Sequence, residues 1–181
     1  MMNVKTMIAA ATLVAAPVAA QTAAEGQQPV IGKQQVEWKG DLLTPEILWS
    51  MGRIGHFEIS PDGKNAVYAV TYFSVQQNAS HTVLYRMEMA TKRTGLLTET
   101  AANESDAVFL PGGQKIAYLS DASGSPQVWE MNADGSNRRQ LSDEEGGVSG
   151  FLFSPDAKKV LLVKDVPNHT SIQANDADLP E

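Results

Sequence analysis

The stretch "SPDGK" at 60–64 returns as "LPGGQ" at 110–114 and as "SPDAK" at 154–158. A serine and an aspartate two residues apart invite a catalytic reading. Turn chemistry accounts for the same residues. Pro61 presets φ at the first corner, Asp62 bonds back to the backbone, and Gly63 takes the positive φ of a glycine bulge. Gly113 fills that slot in the second copy and Ala157 in the third. In the second copy Leu110 and Gly112 replace the serine and the aspartate, so the stretch repeats as a turn and not as a Ser–Asp pair.

The surroundings repeat with it. Two residues before each proline stand Ile59, Phe109 and Phe153; five after stand Ala66, Ile116 and Val160; seven after stand Tyr68, Tyr118 and Leu162. Apolar alternation on both sides of a tight turn predicts a β-hairpin in each copy. The second half of the unit repeats too. "VLYRMEM" (83–89) matches "QVWEMNA" (127–133), with Tyr85 over Trp129 and Met87 over Met131. Leu97-Thr98 and Leu141-Ser142 follow in the same register. The prolines are spaced 50 and then 44 residues apart, and the extra six fall within "TYFSVQQNASHT" (71–82), read as a grown loop.

A period near 44 with four short strands per unit predicts β-propeller blades. The expected fold is all-β: about two and a half four-stranded blades preceded by one short helix. Blade 1 covers about 54–98, with strands at 54–60, 64–71, 83–89 and 94–98. Blade 2 covers about 105–142, with strands at 105–110, 114–120, 126–132 and 137–142. A half blade follows at 151–163, then a polar tail at 164–181. "NADGSN" (132–137) is a hairpin turn built on Asp134-Gly135, with too few acids for a calcium loop. The helix is "LTPEILWSMGR" (43–53), with Thr44 as N-cap, Pro45 at the first position, Glu46 in the first turn, and Ile47, Leu48 and Met51 as the apolar face.

The first 20 residues read as a secretory signal peptide: Lys5, the apolar run 7–16, Pro17, then small residues with cleavage expected after Ala20. The location expected is periplasmic or secreted, with 21–41 as a flexible N-terminal segment. The apolar run is too short to span a membrane, and no membrane anchor is expected. The chain carries a net charge of −7, and losing Lys5 with the leader makes it one more negative. That acidity argues against nucleic acid as a partner. There is no cysteine, which excludes disulfides and thiolate chemistry.

No catalytic constellation emerges, and none is assigned. Ser149 in "GGVSGF" (146–151) is one place out of register with G-x-S-x-G. His56, His81 and His169 are the three candidate bases, placed at a strand start, in the grown loop and in the polar tail. There is no H-E-x-x-H, G-x-G-x-x-G or Walker loop, so no metal and no cofactor is expected. The acids "DEE" (143–145) read as a solvated connection between blades. Two and a half blades fall short of the roughly four to eight that close a propeller. The expectation is therefore the N-terminal part of a larger protein, with self-association through open blade edges.

"SDASGSPQVWEMNADGSNRRQLS" (120–142) resembles the TolB-type, WD40-like propeller repeat. "LLTPEILWSMGRIGHFEISPDGKNAVYAV" (42–70) resembles the start of the mature chain in S9-family serine peptidases of the dipeptidyl-peptidase-5 and acylaminoacyl-peptidase branch. That resemblance implies a propeller that gates short peptides to a C-terminal α/β-hydrolase domain holding Ser, Asp and His. None of those catalytic positions is present here. The alternative is a TolB-like periplasmic scaffold that binds proteins and has no catalytic role.

Overall fold

The computed structural model describes residues 30–37 and 40–166. The expected signal peptide, and the tail from 167 onward with His169, lie outside the described residues.

One helix opens the fold. α1 spans Pro45–Ser50, with the Thr44 side chain accepting from the Ile47 N–H and Pro at the start where its missing N–H costs nothing. Of the three expected apolar contacts only Ile47 is buried; Leu48 and Met51 remain exposed, because six residues give the helix too little length to turn a second row inward. Trp49 reaches back instead. Its ring meets Phe73 edge-on at 5.3 Å. The Arg53 guanidinium lies 4.8 Å from the Trp49 ring centre and 4.7 Å from that of Phe73. A cation against two aromatic faces ties the helix to the first sheet.

Two four-stranded antiparallel sheets and one hairpin follow. β1 (Arg53–Ile59), β2 (Asn65–Ser74), β3 (Ala79–Glu88) and β4 (Thr94–Leu96) pair in chain order. β5 (Glu104–Phe109), β6 (Lys115–Ser120), β7 (Gln127–Asn132) and β8 (Arg139–Gln140) do the same. β9 (Gly150–Phe153) and β10 (Val160–Val163) form the third, two-stranded sheet. Both first strands carry a bulge at nearly the same place, between Ile54 and Phe57 in β1 and between Ser105 and Val108 in β5. Sheets of four strands in order, repeated, are propeller blades.

The three turns share one hydrogen-bond pattern. The N–H of Gly63, Gly113 and Ala157 donates to the carbonyl of Ser60, Leu110 and Ser154, at 2.8, 2.9 and 2.8 Å. All three take positive φ: 70°, 70° and 53°. The Ser60 hydroxyl donates to Asp62 Oδ1 at 2.6 Å and accepts from the Asn65 N–H at 2.9 Å, so both side chains serve the corner. Ser154 and Asp156 repeat the arrangement. The middle copy has Leu110 in place of the serine, and its Gly112 also has positive φ, a corner that the aspartates of the other copies do not adopt.

The six extra residues of blade 1 are not a loop. β2 and β3 each have ten residues where β6 and β7 have six. The turn between them is correspondingly two residues shorter, 75–78 against 121–126. The insertion is absorbed as a longer hairpin, because "TYF" and "HTV" continue the alternation and pair directly, Thr71 with Thr82 and Tyr72 with His81.

Packing runs from blade to blade. Val67, Ala69 and Leu84 of blade 1 meet Ala107, Phe109, Ile116, Tyr118 and Met131 of blade 2. Leu119 and Val128, on the other face of blade 2, meet Val148 together with Phe151, Phe153 and Leu162 of the third sheet. The outward side chains of the end sheets, such as Leu152 and Leu161, are exposed.

Candidate functional site

The first strands of the blades approach one another, and β1 lies directly beside β5. At their turn ends a groove of about 590 Å³ runs between Pro61, Pro111 and Pro155, walled by Phe109, Phe151 and Phe153. One acid, Glu58, projects into this apolar setting. The equivalent positions, three residues before each proline, are Val108 and Leu152. Burial pushes the Glu58 carboxyl up, against a backbone N–H from Phe109 and the nearby His56, which pull it down. A partly desolvated carboxylate in an apolar groove is suited to a cationic or hydrogen-bond-donating group.

A second cavity, of about 410 Å³, lies on the opposite face of blade 1, between the 30–33 segment and Tyr72, Val83, Tyr85 and Leu96. Its tyrosines and its histidine already have partners. The Tyr72 and Tyr85 hydroxyls bond each other at 2.9 Å. Burial, and then the Tyr85 hydroxyl, hold the Tyr72 phenol far above its ordinary value. The cavity therefore presents mostly hydrocarbon.

The nucleophile and base candidates are dispersed. Ser60 is buried in its turn with Asp62. Ser149 stands at the approach to β9, its hydroxyl donating to the Val163 carbonyl at 3.1 Å. His56 is exposed on β1. His81 lies in β3 and not in a loop; it is buried, with Nδ1 2.9 Å from the Ile31 carbonyl oxygen and Nε2 3.0 Å from that of Ala102. Among the described residues no serine is hydrogen-bonded to a histidine ring. Of "DEE", Glu144 pairs with Lys164 at 2.8 Å, while Asp143 and Glu145 are exposed in the connection. Asp134 belongs to its turn, accepting the Ser136 N–H at 2.9 Å. Among the described residues no group of three or more His, Cys, Asp or Glu is placed to hold a metal ion.

Two buried acids escaped the sequence reading. Glu130 in β7 accepts from Lys115 Nζ at 2.6 Å and from Arg139 Nε at 2.5 Å. Burial raises its carboxyl, but the two cations outweigh this and hold it below the usual range. Glu104 opens β5 and is only 2% exposed. The signal for Glu104 was in the repeat: seven residues before each proline stand Ile54, Glu104 and Val148, two apolar residues and one acid.

A match to known families decides what this arrangement belongs to. Residues 50–181 match the family model described as the TolB beta propeller domain. The chain belongs to the TolB β-propeller domain family. This TolB-type propeller is 44% identical over 127 residues to dipeptidyl-peptidase 5 of Porphyromonas gingivalis, covering 70% of this chain and 19% of that protein. It is 32% identical over 142 residues to dipeptidyl-peptidase 5 of Porphyromonas endodontalis, covering 77% of this chain and 20% of that protein. The chain thus spans about a fifth of the length of these curated relatives. Among solved structures, the acylaminoacyl peptidase of Pyrococcus horikoshii shares the fold with a TM-score of 0.53 at 11% identity, over 64% of this chain and 17% of that one. TolB from Acinetobacter baumannii does so with a TM-score of 0.50 at 23% identity, over 59% of this chain and 25% of that one. Among the described residues of the TolB-type propeller, no helix is long and apolar enough to cross a membrane.

Proposed function

We propose that this chain is the opening part of the propeller of an exported S9-type serine exopeptidase, and that its blades limit access to short peptides. The observation that carries the reading is the 44% identity over 127 residues to a dipeptidyl-peptidase 5. Three features support it. The first 20 residues have the pattern of an export leader, the helix beginning Thr44-Pro45-Glu46 runs straight into a blade, and among the described residues no serine is hydrogen-bonded to a histidine, which fits hydrolysis by another domain. The axial groove around Glu58 is where a peptide entering along the blade axis meets this part of the propeller.

Reading the coding DNA past codon 181 tests this. The proposal expects further blades and then an α/β-hydrolase segment with G-x-S-x-G. Blades followed by a stop codon, with no hydrolase segment, overturn it in favour of a TolB-like periplasmic scaffold for protein binding. For location, fusion of residues 1–40 to alkaline phosphatase is expected to give periplasmic activity, and Lys5→Glu combined with Leu13→Asp is expected to abolish it. An active reporter in both fusions, or in neither, contradicts export by this leader.

A further inference from the structure

The junction of blades 1 and 2 holds two titratable side chains that neither the turns nor the axial groove uses. Glu104 occupies the slot that Val148 fills at the next junction, and it is buried there. The Thr100 hydroxyl donates to Glu104 Oε1 at 3.0 Å. Oε2 has no hydrogen-bond partner among the described residues. An ionised carboxylate with a bare buried oxygen is costly; a neutral carboxyl in the same slot is far less so. The groups facing it are His81 from β3, Tyr118 from β6, Arg138 from the β7–β8 turn, and the Thr98 and Thr100 hydroxyls.

His81 adds a bridging contact between the two segments. One ring nitrogen faces the carbonyl of Ile31 in the 30–37 segment, and the other faces that of Ala102, two residues before Glu104. A ring with one proton donates to one of these carbonyls and turns a lone pair toward the other; a ring with two protons donates to both. Neither nitrogen is hydrogen-bonded to Glu104, so a proton on the ring does not supply the missing partner of Oε2. Gln34 Nε2 donates to the Phe73 carbonyl at 2.8 Å and holds the same segment further along.

We propose that His81 and Glu104 form an acid-closed latch, which fastens the 30–37 segment and the 97–103 connection onto the junction of blades 1 and 2. Protonation of Glu104 favours the closed form, and His81 bridges the two segments that close over it. A neutral Glu104 fits its buried slot with one oxygen unpartnered. Loss of that proton leaves a bare buried carboxylate, and the two segments loosen. Burial raises the Glu104 carboxyl above the ordinary glutamate value of 4.5, more than the surrounding hydroxyls and charges lower it. A raised value in the folded state means that the stabilisation is complete below the ordinary value and is lost as pH rises through the raised one.

Hydrogen exchange followed by mass spectrometry on the purified chain tests this, at pH 5 and pH 8 with correction for intrinsic rates. The wild type is expected to show severalfold stronger protection of 30–37 and 97–104 at pH 5 than at pH 8. Glu104→Gln, which keeps the shape and removes the charge, is expected to retain the pH 5 protection of 97–104 at pH 8. His81→Phe is expected to lose protection of 30–37 at both pH values while keeping that of β6. Glu104→Val, the residue of the next repeat, replaces Glu104→Gln if the latter does not fold. Equal wild-type protection at the two pH values overturns the latch. So does a Glu104 variant that keeps the wild-type pH dependence at 97–104.

Discussion

The two blade junctions solve one problem with different chemistry. At each, a hydroxyl at the end of a blade accepts a backbone N–H from the third strand. Thr98 accepts from Leu84 at 3.1 Å, and Ser142 accepts from Val128 at 2.8 Å. Each hydroxyl must then place its own proton. Ser142 donates to Gln127 Oε1 at 2.7 Å, and Gln127 is otherwise held by Ser125, the Glu144 carbonyl and the Glu144 N–H. At the first junction, where the position equivalent to Gln127 is Val83, the acid Glu104 stands beside the threonines instead: Thr100 donates to its Oε1 at 3.0 Å, and the Thr98 and Thr100 hydroxyls both favour its ionised form. A neutral amide closes one junction and a titratable carboxyl the other. The repeat therefore fixes where a polar partner is needed, and each junction chooses its charge.

The comparison can be broken most sharply at Gly135. Its φ is +88°, and an added Cβ would stand 2.6 Å from the Leu97 carbonyl oxygen across the first junction. Gly135→Ala combines a strained backbone with a backbone clash. It is expected to lower stability by about 3 kcal/mol in urea titration. A loss below about 1 kcal/mol would mean that blade 2 does not pack on Leu97 as described. Next comes the core itself. Ile116→Ala, at a position fully buried in the first junction, is expected to cost about 2–5 kcal/mol, and Leu162→Ala, half-buried in the second, distinctly less. Equal losses would make the two junctions equivalent.

The polar partners give a smaller, pH-resolved effect. Ser142→Ala is expected to cost about 1–3 kcal/mol, to the same extent at pH 5 and pH 8, because Gln127 does not titrate. The cost of Thr98→Val is expected to grow with pH. The Thr98 hydroxyl favours ionised Glu104, so its removal matters most once that proton is gone. Thermal melts of both variants across this range check the sign, and a Thr98→Val cost that falls with pH would contradict it. The smallest effect is a gain. Ala157 sits at φ +53°, and Ala157→Gly is expected to add roughly 0.5–1 kcal/mol.

Most of the fold was legible because a repeat supplies its own controls. The three proline turns fixed the register, and the strands fall within a few residues of the expected spans. The bulges and the Ala157 conformation follow the same spacing. The long hairpin of blade 1 was not legible. A six-residue excess shows where an insertion lies but not whether its two sides pair, and the Tyr72–His81 pairing decides that. His81 consequently moved from an expected loop to the buried face of a strand. The apolar face of α1 was overestimated, since a six-residue helix gives Ile47 an inward position and leaves Leu48 and Met51 in solvent. The candidate site was the least legible part. Glu58 and Glu104 each stand where the other copies carry apolar residues, and a repeat alignment that tracked only apolar matches passed over both.

Hydrogen exchange of single amides, followed by NMR, tests most directly the central claim that the chain is two blades held on one shared core with a more weakly attached third sheet. The amides of β3, β6 and β7 are expected to be the slowest and to exchange as one unit under denaturant. Those of β9 and β10 are expected to exchange earlier and separately. Protection that is greatest in β9 and β10, or that is lost at a single denaturant concentration across all three sheets, would contradict the account.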